Sequence, residues 1–238
     1  MQIVIHRADE RGSAEHGWLH TRFSFSFADW YEPTRMGFGA LRVINDDTID
    51  PHSGFGKHPH ANMEIITIVK EGAVSHEDSM GNKYGVPAGD IQVMSAGTGV
   101  VHAEYNNEDV PLKLFQIWIT PRTAGIAPRY EQRSFGDAEN NTIELLVSGN
   151  EAEEVDKGAL LINQDAYISR VSLDAGKEVE YALKRPLNGI YVFVVKGSIS
   201  VAGHDLSDRD AIGLVDTKEI LISAVVPSEV LIFEVPMQ

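Results

Sequence analysis

Short apolar runs recur along the whole 238-residue chain, and clusters of Gly, Pro, Asn and Asp separate them too closely to leave room for long helices. No apolar pattern with a period of 3.6 residues is sustained over three turns. The runs are rich in Val, Ile, Phe and Tyr, which favour strands. They are residues 39–44, 63–69, 91–94, 112–120, 142–147, 190–195, 220–225 and 230–235. This spacing predicts an all-β protein of the sandwich or barrel type.

A polar stretch at residues 131–141 divides these runs into two series. The two series look like weak copies of one another. The matching segments are 65–72 with 190–197, and 87–90 with 207–210. Tandem duplication of a β unit is typical of a two-domain jelly-roll chain. We therefore predict two jelly-roll β-barrel domains packed together, formed by residues 1–135 and 136–238.

Charge and cysteine content limit the partners and the chemistry. The chain carries 20 Lys and Arg against 35 Asp and Glu, and its formal net charge of −15 repels nucleic-acid phosphates and anionic membranes. No apolar stretch of about 18 residues predicts a membrane span. With no cysteine, thiolate catalysis and Cys-based metal sites are excluded. We expect a cytoplasmic protein without a direct nucleic-acid partner, in which His, Asp or Glu would have to hold any metal.

Three of the nine histidines form a pattern that suits a metal. His58 and His60 are two residues apart, and such residues point to the same face of a strand. His102 and Glu104 repeat this spacing about forty residues later. Two antiparallel strands that bring the pairs together would place three nitrogens and one oxygen around one centre. This donor set suits a divalent first-row transition metal with open coordination positions.

Other polar and aromatic residues have simpler interpretations. The remaining histidines, His76 among them, have no strong companion and are expected to be ordinary surface or hydrogen-bonded side chains. Phe23, Phe25 and Phe27 alternate with serines, which predicts one buried strand face. Gln116 lies between apolar residues of the same face and indicates the wall of a pocket.

Several segments resemble the two cupin motifs and, in combination, the pirin family. They are GFGKHPHANME at 54–64, HED at 76–78, PAGD at 87–90, SAGTG at 95–99 and HAEYN at 102–106. The resemblance is closest to the bacterial pirin-like quercetin 2,3-dioxygenases. It covers about residues 12–135 closely, and downstream it rests mainly on architecture and length.

The resemblance implies a bicupin fold with one divalent transition metal, bound in the N-terminal domain by His58, His60, His102 and Glu104. We expect iron(II), with copper, manganese, nickel, cobalt and zinc as alternatives. In the general cupin motif the carboxylate ligand falls at Glu64, whereas pirins use the carboxylate of H-x-E. Glu64 is therefore expected either beside the metal ligands, where a carboxylate commonly orients an imidazole, or in the pocket, with the role of a ligand as the alternative.

The proposed repeat predicts the contents of the second domain. Counting along it places Leu183 and Arg185 at the positions of His58 and His60. Ile222 and Ala224 fall at the positions of the H-x-E pair. The second domain is therefore expected to hold no metal.

The resemblance also implies an activity, the cleavage of quercetin or a related flavonol by O2 with release of carbon monoxide. Glu104 would serve as a metal ligand and as the base for the flavonol 3-hydroxyl. The alternative, implied by resemblance to eukaryotic pirin, is a metal-dependent regulatory protein that acts through a protein partner. Cupin-type sugar isomerisation would need a phosphate-binding Lys or Arg motif, which we do not find. The sequence leaves the oligomeric state open.

Overall fold

The computed structural model describes residues 1–237, without the side chain of Val155. Each of the eight apolar runs expected from the sequence overlaps a strand, so the all-β prediction is confirmed. Within residues 1–237, helix is confined to a 3-10 turn at Ala8–Glu10 and to α1 at Glu151–Lys157. Among the described residues, no helix has the length and apolar character needed to cross a membrane.

The first half of the chain contains twelve strands, and all but the first of them form two antiparallel sheets. Its strands are β1 (Gln2–His6), β2 (Gly12–Glu15), β3 (Leu19–Phe23), β4 (Leu41–Ile49), β5 (Ser53–His60), β6 (Glu64–Glu71), β7 (Ala73–Asp78), β8 (Lys83–Pro87), β9 (Asp90–Ser95), β10 (Val100–Asn106), β11 (Leu112–Ile119) and β12 (Arg129–Ser134). The larger sheet has the order β12-β9-β6-β11-β4-β3-β2, and the smaller sheet has the order β5-β10-β7-β8. Together they form a cupin-type jelly roll.

The second half repeats this arrangement. Its strands are β13 (Glu144–Ser148), β14 (Leu160–Leu161), β15 (Tyr167–Leu173), β16 (Glu178–Ala182), β17 (Asn188–Lys196), β18 (Ser198–Val201), β19 (His204–Ser207), β20 (Ala211–Val215), β21 (Glu219–Ala224) and β22 (Ser228–Pro236). The sheets have the orders β1-β20-β17-β22-β15-β13-β14 and β16-β21-β18-β19. The predicted bicupin architecture of two jelly rolls is confirmed.

The first strand of the chain lies at the edge of the second jelly roll. Ile3 of β1 pairs with Leu214 of β20, whereas β12 occupies the corresponding edge of the first jelly roll, beside β9. The first strand of the chain, β1, is therefore part of the second jelly roll. The division into domains of residues 1–135 and 136–238 stays a prediction. Residues 2–6 belong to the first of these segments but pair with a strand of the second.

The two large sheets share one apolar core. Phe115 of β11 meets Phe193 of β17 with ring centroids 5.5 Å apart. Ile66 and Ile68 of β6 belong to this shared core, while Ile65 and Val69 lie in clusters of the first jelly roll. Because successive residues of a strand face opposite sides, a strand buried on both faces is apolar throughout. The shared core thus fixes which face of β6 and β11 is turned into the first jelly roll.

Candidate metal centre

Neighbouring strands bring the two histidine motifs together. β5 and β10 are antiparallel partners in which His102 lies opposite His58 and Val100 lies opposite His60. The register shifts between His102 and Glu104 because β5 has two residues, Gly56 and Lys57, where β10 has one, so the bulge lies in β5 just before His58. Bulges commonly re-aim a side chain beside a functional site.

Three imidazoles converge at this point. The ring centroid of His102 lies 4.4 Å from that of His58 and 5.0 Å from that of His60, and the latter two are 4.9 Å apart. One ring nitrogen from each residue can be chosen so that all three lie within 4.8 Å of one another. His102 is buried, and His58 and His60 are half-buried, so the cluster sits between the interior and the surface.

The free ring nitrogens fit a metal ion. The Nδ1 of His58 lies 2.8 Å from the carbonyl oxygen of Gly56. A carbonyl can only accept, so Nδ1 carries the hydrogen and the lone pair is on Nε2. Both nitrogens of His102 are buried, and no described residue forms a hydrogen bond with either of them. An unpartnered buried polar group costs about 1–3 kcal/mol, which coordination would remove.

Burial keeps two of the imidazoles neutral. Burial, with a smaller contribution from the neighbouring histidines, lowers the pKa of His60 to about 4 and that of His102 to about 3. Neutral imidazole is the form that binds metals. The three histidines therefore match the donor set of a divalent transition metal.

Glu104 lies next to this group and is held by amide side chains. Gln116 donates from Nε2 to Oε2 of Glu104 at 2.8 Å, and Gln92 donates to Oε1. The hydroxyl of Thr67 lies 3.3 Å from Oε1. Oxygens of Glu104 can be grouped within 4.8 Å of nitrogens of His102 and His76, rather than with all three clustered histidines. The amides thus turn a buried carboxylate towards His102.

His76 belongs to the HED segment, but the sequence analysis assigned it no role in the site. On β7, buried residues alternate with half-buried ones, and His76 and Asp78 share the buried face. The ring of His76 lies 5.4 Å from that of His102 and stacks on Tyr130 at 4.6 Å. Its Nε2 is 3.1 Å from Oδ2 of Asp78, and its Nδ1 has no partner. The i,i+2 spacing of His76 and Asp78 was the available signal.

A cavity of about 210 Å³ opens beside the histidines. It is lined by Leu19, Phe27, Asn45, Asp47, Phe55, His58, His60, Ile65, His102, Glu104, Gln116 and Trp118. Gln116 belongs to this lining, which confirms the prediction that it forms part of a pocket wall. The phenylalanine prediction is wrong, because Phe25 packs in the core between the jelly rolls while Phe27 leaves the strand and packs on Trp118 at 5.3 Å. Mixed aromatic and polar walls are typical of small-molecule sites.

Glu64 faces away from the imidazoles. It is fully buried and accepts a hydrogen bond of 2.6 Å from the hydroxyl of Ser95. It lies neither in the cavity lining nor in either cluster of potential metal ligands. The odd-numbered neighbours Ile65 and Thr67 point into the first jelly roll, so Glu64, on the opposite face of β6, does not orient the histidines.

The second jelly roll replaces the polar site residues with apolar ones. Strand registers match the residues pairwise: His76 with Val201, Thr67 with Val192, Gln92 with Ile212, His102 with Ile220, Glu104 with Ile222, Gln116 with Ile232, and Asp47 with Val171. These apolar counterparts all lie in one buried cluster. The polar residues are therefore not requirements of the fold.

The register corrects the counterparts that counting along the sequence gave. Ile220 and Ile222 take the positions of the H-x-E pair, in place of Ile222 and Ala224. Tyr181 lies opposite Ile220 as His58 lies opposite His102, so Tyr181 and Leu183 occupy the positions of His58 and His60. The connection to the next strand is two residues longer in the second jelly roll than in the first, which accounts for the two-residue error at this pair.

Both halves of the chain match models of known protein families. The family model "Pirin" matches residues 5–119, and the model "Quercetinase C-terminal cupin domain" matches residues 145–235. The chain is 44% identical over 235 residues to quercetin 2,3-dioxygenase of Escherichia coli K12, covering 98% of this chain and 99% of that protein. It is 47% identical over 228 residues to a putative quercetin 2,3-dioxygenase of Pseudomonas aeruginosa, covering 95% and 97%.

A solved structure agrees closely with the fold. Bacterial pirin YhhW from Escherichia coli in complex with nickel(II) superposes with a TM-score of 0.92 at 44% sequence identity, and the match covers 100% of both chains.

Proposed function

The chain belongs to the pirin family, and we propose that it is a metal-dependent dioxygenase that uses O2 to open the flavonol ring of quercetin or a related flavonol, with release of carbon monoxide. The observation that carries this proposal is the convergence of three imidazoles on the wall of an aromatic-lined cavity. The 44% identity to a quercetin 2,3-dioxygenase over nearly the whole of both chains supports it.

His58, His60, His102 and Glu104 are the proposed ligands of one divalent metal. We propose iron(II) as the native metal, with copper, manganese, nickel, cobalt and zinc as alternatives; the related pirin structure contains nickel(II). When bound, the metal supplies open positions for the adjacent oxygens of the flavonol and for the redox chemistry of O2.

We propose separate roles in proton transfer and in substrate binding for the side chains around the metal ligands. Glu104 accepts the proton of the flavonol 3-hydroxyl, and the amides of Gln92 and Gln116 hold its carboxylate in position for that transfer. Phe27 and Trp118 give the flat aromatic rings apolar walls and exclude water.

An oxygen-uptake assay with metal-replete protein tests the proposal. We expect one O2 to be consumed and one carbon monoxide to be released for each quercetin cleaved, because both atoms of O2 enter the ring-opened ester. Protein loaded with iron that neither consumes oxygen nor releases carbon monoxide with several flavonols would contradict it. That result would favour the alternative, a metal-dependent regulatory protein acting through a protein partner.

Metal binding is expected to displace few protons. The pKa values of about 4 for His60 and about 3 for His102 mean that both are already neutral at pH 5.5. Since ligands with unshifted pKa values near 6.5 would each release a proton there, we expect no more than about one proton per metal instead of up to about three. Calorimetry at pH 5.5 in buffers of different ionisation enthalpy measures this number. A value of two or more would show that the histidines are not held neutral.

The net charge of −15 supports a small-molecule substrate or a basic protein partner over nucleic acid. A cytoplasmic location stays a prediction.

A further inference from the structure

Asp47 is a buried carboxyl group that the proposed chemistry does not use. It lies on β4, is 4% exposed and lines the cavity that the histidines share. Its Oδ1 is buried and has no hydrogen-bond partner among the described residues. A buried carboxyl group without a full set of partners is destabilising, so a ligand that completes its hydrogen bonds would bind favourably.

The fold does not require a carboxyl group at this position. The counterpart of Asp47 in the second jelly roll is Val171, which is fully buried in an apolar cluster. The neighbouring Asp46 has a structural role, since it forms an ion pair of 2.6 Å with Arg209 and a longer one with Arg11. Asp47 points to the other face of β4 and has no such ion pair.

The surroundings of Asp47 suit a hydroxyl group. Burial raises its pKa to about 7, so near neutral pH the carboxyl group can either accept or donate a hydrogen bond. The nearby Asn45 also has a buried, unpartnered Oδ1, and Trp118 has an unpartnered indole nitrogen in the same cavity lining. The cavity therefore offers unpaired polar atoms apart from the imidazoles.

We propose that Asp47 is a specificity-determining residue that binds a phenolic hydroxyl of the substrate away from its metal-binding oxygens. This inference rests on the proposed function. It assigns the substrate class as flavonols that carry further hydroxyls on their rings, and it makes Asp47 a positioning residue that touches the substrate without taking part in the bond-breaking step.

The test compares quercetin with 3-hydroxyflavone, which keeps the 3-hydroxy-4-keto unit and lacks the other hydroxyls. Dissociation constants are measured under nitrogen by fluorescence with the metal-loaded wild type, Asp47→Val and Asp47→Asn. Loss of one buried hydrogen bond is expected to weaken quercetin binding by Asp47→Val about 10- to 100-fold and to reduce the preference for quercetin by the same factor. Asp47→Asn, which still offers an oxygen and an N–H, is expected to retain most of the preference.

A control variant at an exposed aspartate separates a specific effect of Asp47 from a general effect of replacing Asp by Val. Asp109→Val makes the same exchange at an exposed site, where the side chain is 95% accessible, and should keep the wild-type preference. Should thermal unfolding show that Asp47→Val is not folded, Asp47→Ala replaces it. An unchanged preference in a folded, metal-loaded Asp47→Val, beside a wild type that cleaves quercetin, overturns this inference alone. A wild type that neither binds nor cleaves any flavonol overturns the proposed function and this inference with it.

Discussion

Metal content is expected to fall from about one to less than about 0.1 per chain when His60 is replaced by alanine. Removing one imidazole from a cluster of three removes a direct ligand, and even the loss of an outer partner of a ligand typically costs 10- to 100-fold in affinity. His60 is half-buried at the rim of the cluster, so the smaller side chain leaves no deep cavity in the core. Elemental analysis of the purified, folded variant measures the effect.

Two controls distinguish loss of a ligand from general damage. His16→Ala makes the same exchange at an exposed histidine outside the cluster and should leave the metal content unchanged. Leu183→Ala changes the counterpart of His60 in the second jelly roll, where no His, Asp or Glu stands at the positions of the three histidines. Full metal content in His60→Ala would overturn the ligand assignment, and a fall in Leu183→Ala would indicate a second site.

The three-histidine cluster could be predicted from the sequence because it depends on the spacing within two short motifs and on one strand pairing. Two i,i+2 motifs place their side chains on one face of a strand, and a single antiparallel pairing of β5 with β10 then brings His58 opposite His102. Neither β5 nor β10 lies in one of the eight apolar runs, so the i,i+2 spacing of the two motifs was the signal that predicted these strands. The same reasoning explains why Gln116 could be assigned to the pocket wall from the polarity of one strand face.

The surroundings of Glu104 could not be read in this way. Thr67, Gln92 and Gln116 come from three different strands and meet Glu104 only because the registers of those strands align. A one-residue slip would turn each side chain to the other face. Single polar residues in apolar strands gave no indication of which neighbours they would contact.

Long-range pairing and loop length were also beyond the sequence. Nothing in the apolar strand 2–6 distinguishes a partner in the first jelly roll from β20 in the second. The two extra residues between the strands of the repeat moved the counterparts of His58 and His60 to Tyr181 and Leu183. The offset between two weakly similar segments therefore does not carry over to strands on the other side of a loop.

Turnover of the metal-loaded protein is expected to fall about 100-fold or more when Glu104 is replaced by glutamine. The exchange nearly preserves volume but removes the charge and the proton-accepting oxygen, and a positioned general base typically contributes about 10²–10⁴-fold. It also directs an amide N–H₂ towards the donors of Gln92 or Gln116, so one of the two hydrogen bonds is lost unless a neighbouring amide turns. Three imidazoles remain, so metal binding should be weakened and not abolished.

Glu64→Gln is the matched control for this exchange. Glu64 is as deeply buried as Glu104 but faces away from the cavity and hydrogen bonds to Ser95, so its variant should keep turnover close to that of the wild type. Rates are compared at equal metal content across a pH series. If Glu104 is the base, Glu104→Gln should regain activity as rising pH supplies ionised flavonol from solution. Near wild-type turnover of Glu104→Gln at neutral pH would instead mean that substrate ionisation needs no carboxylate at this position.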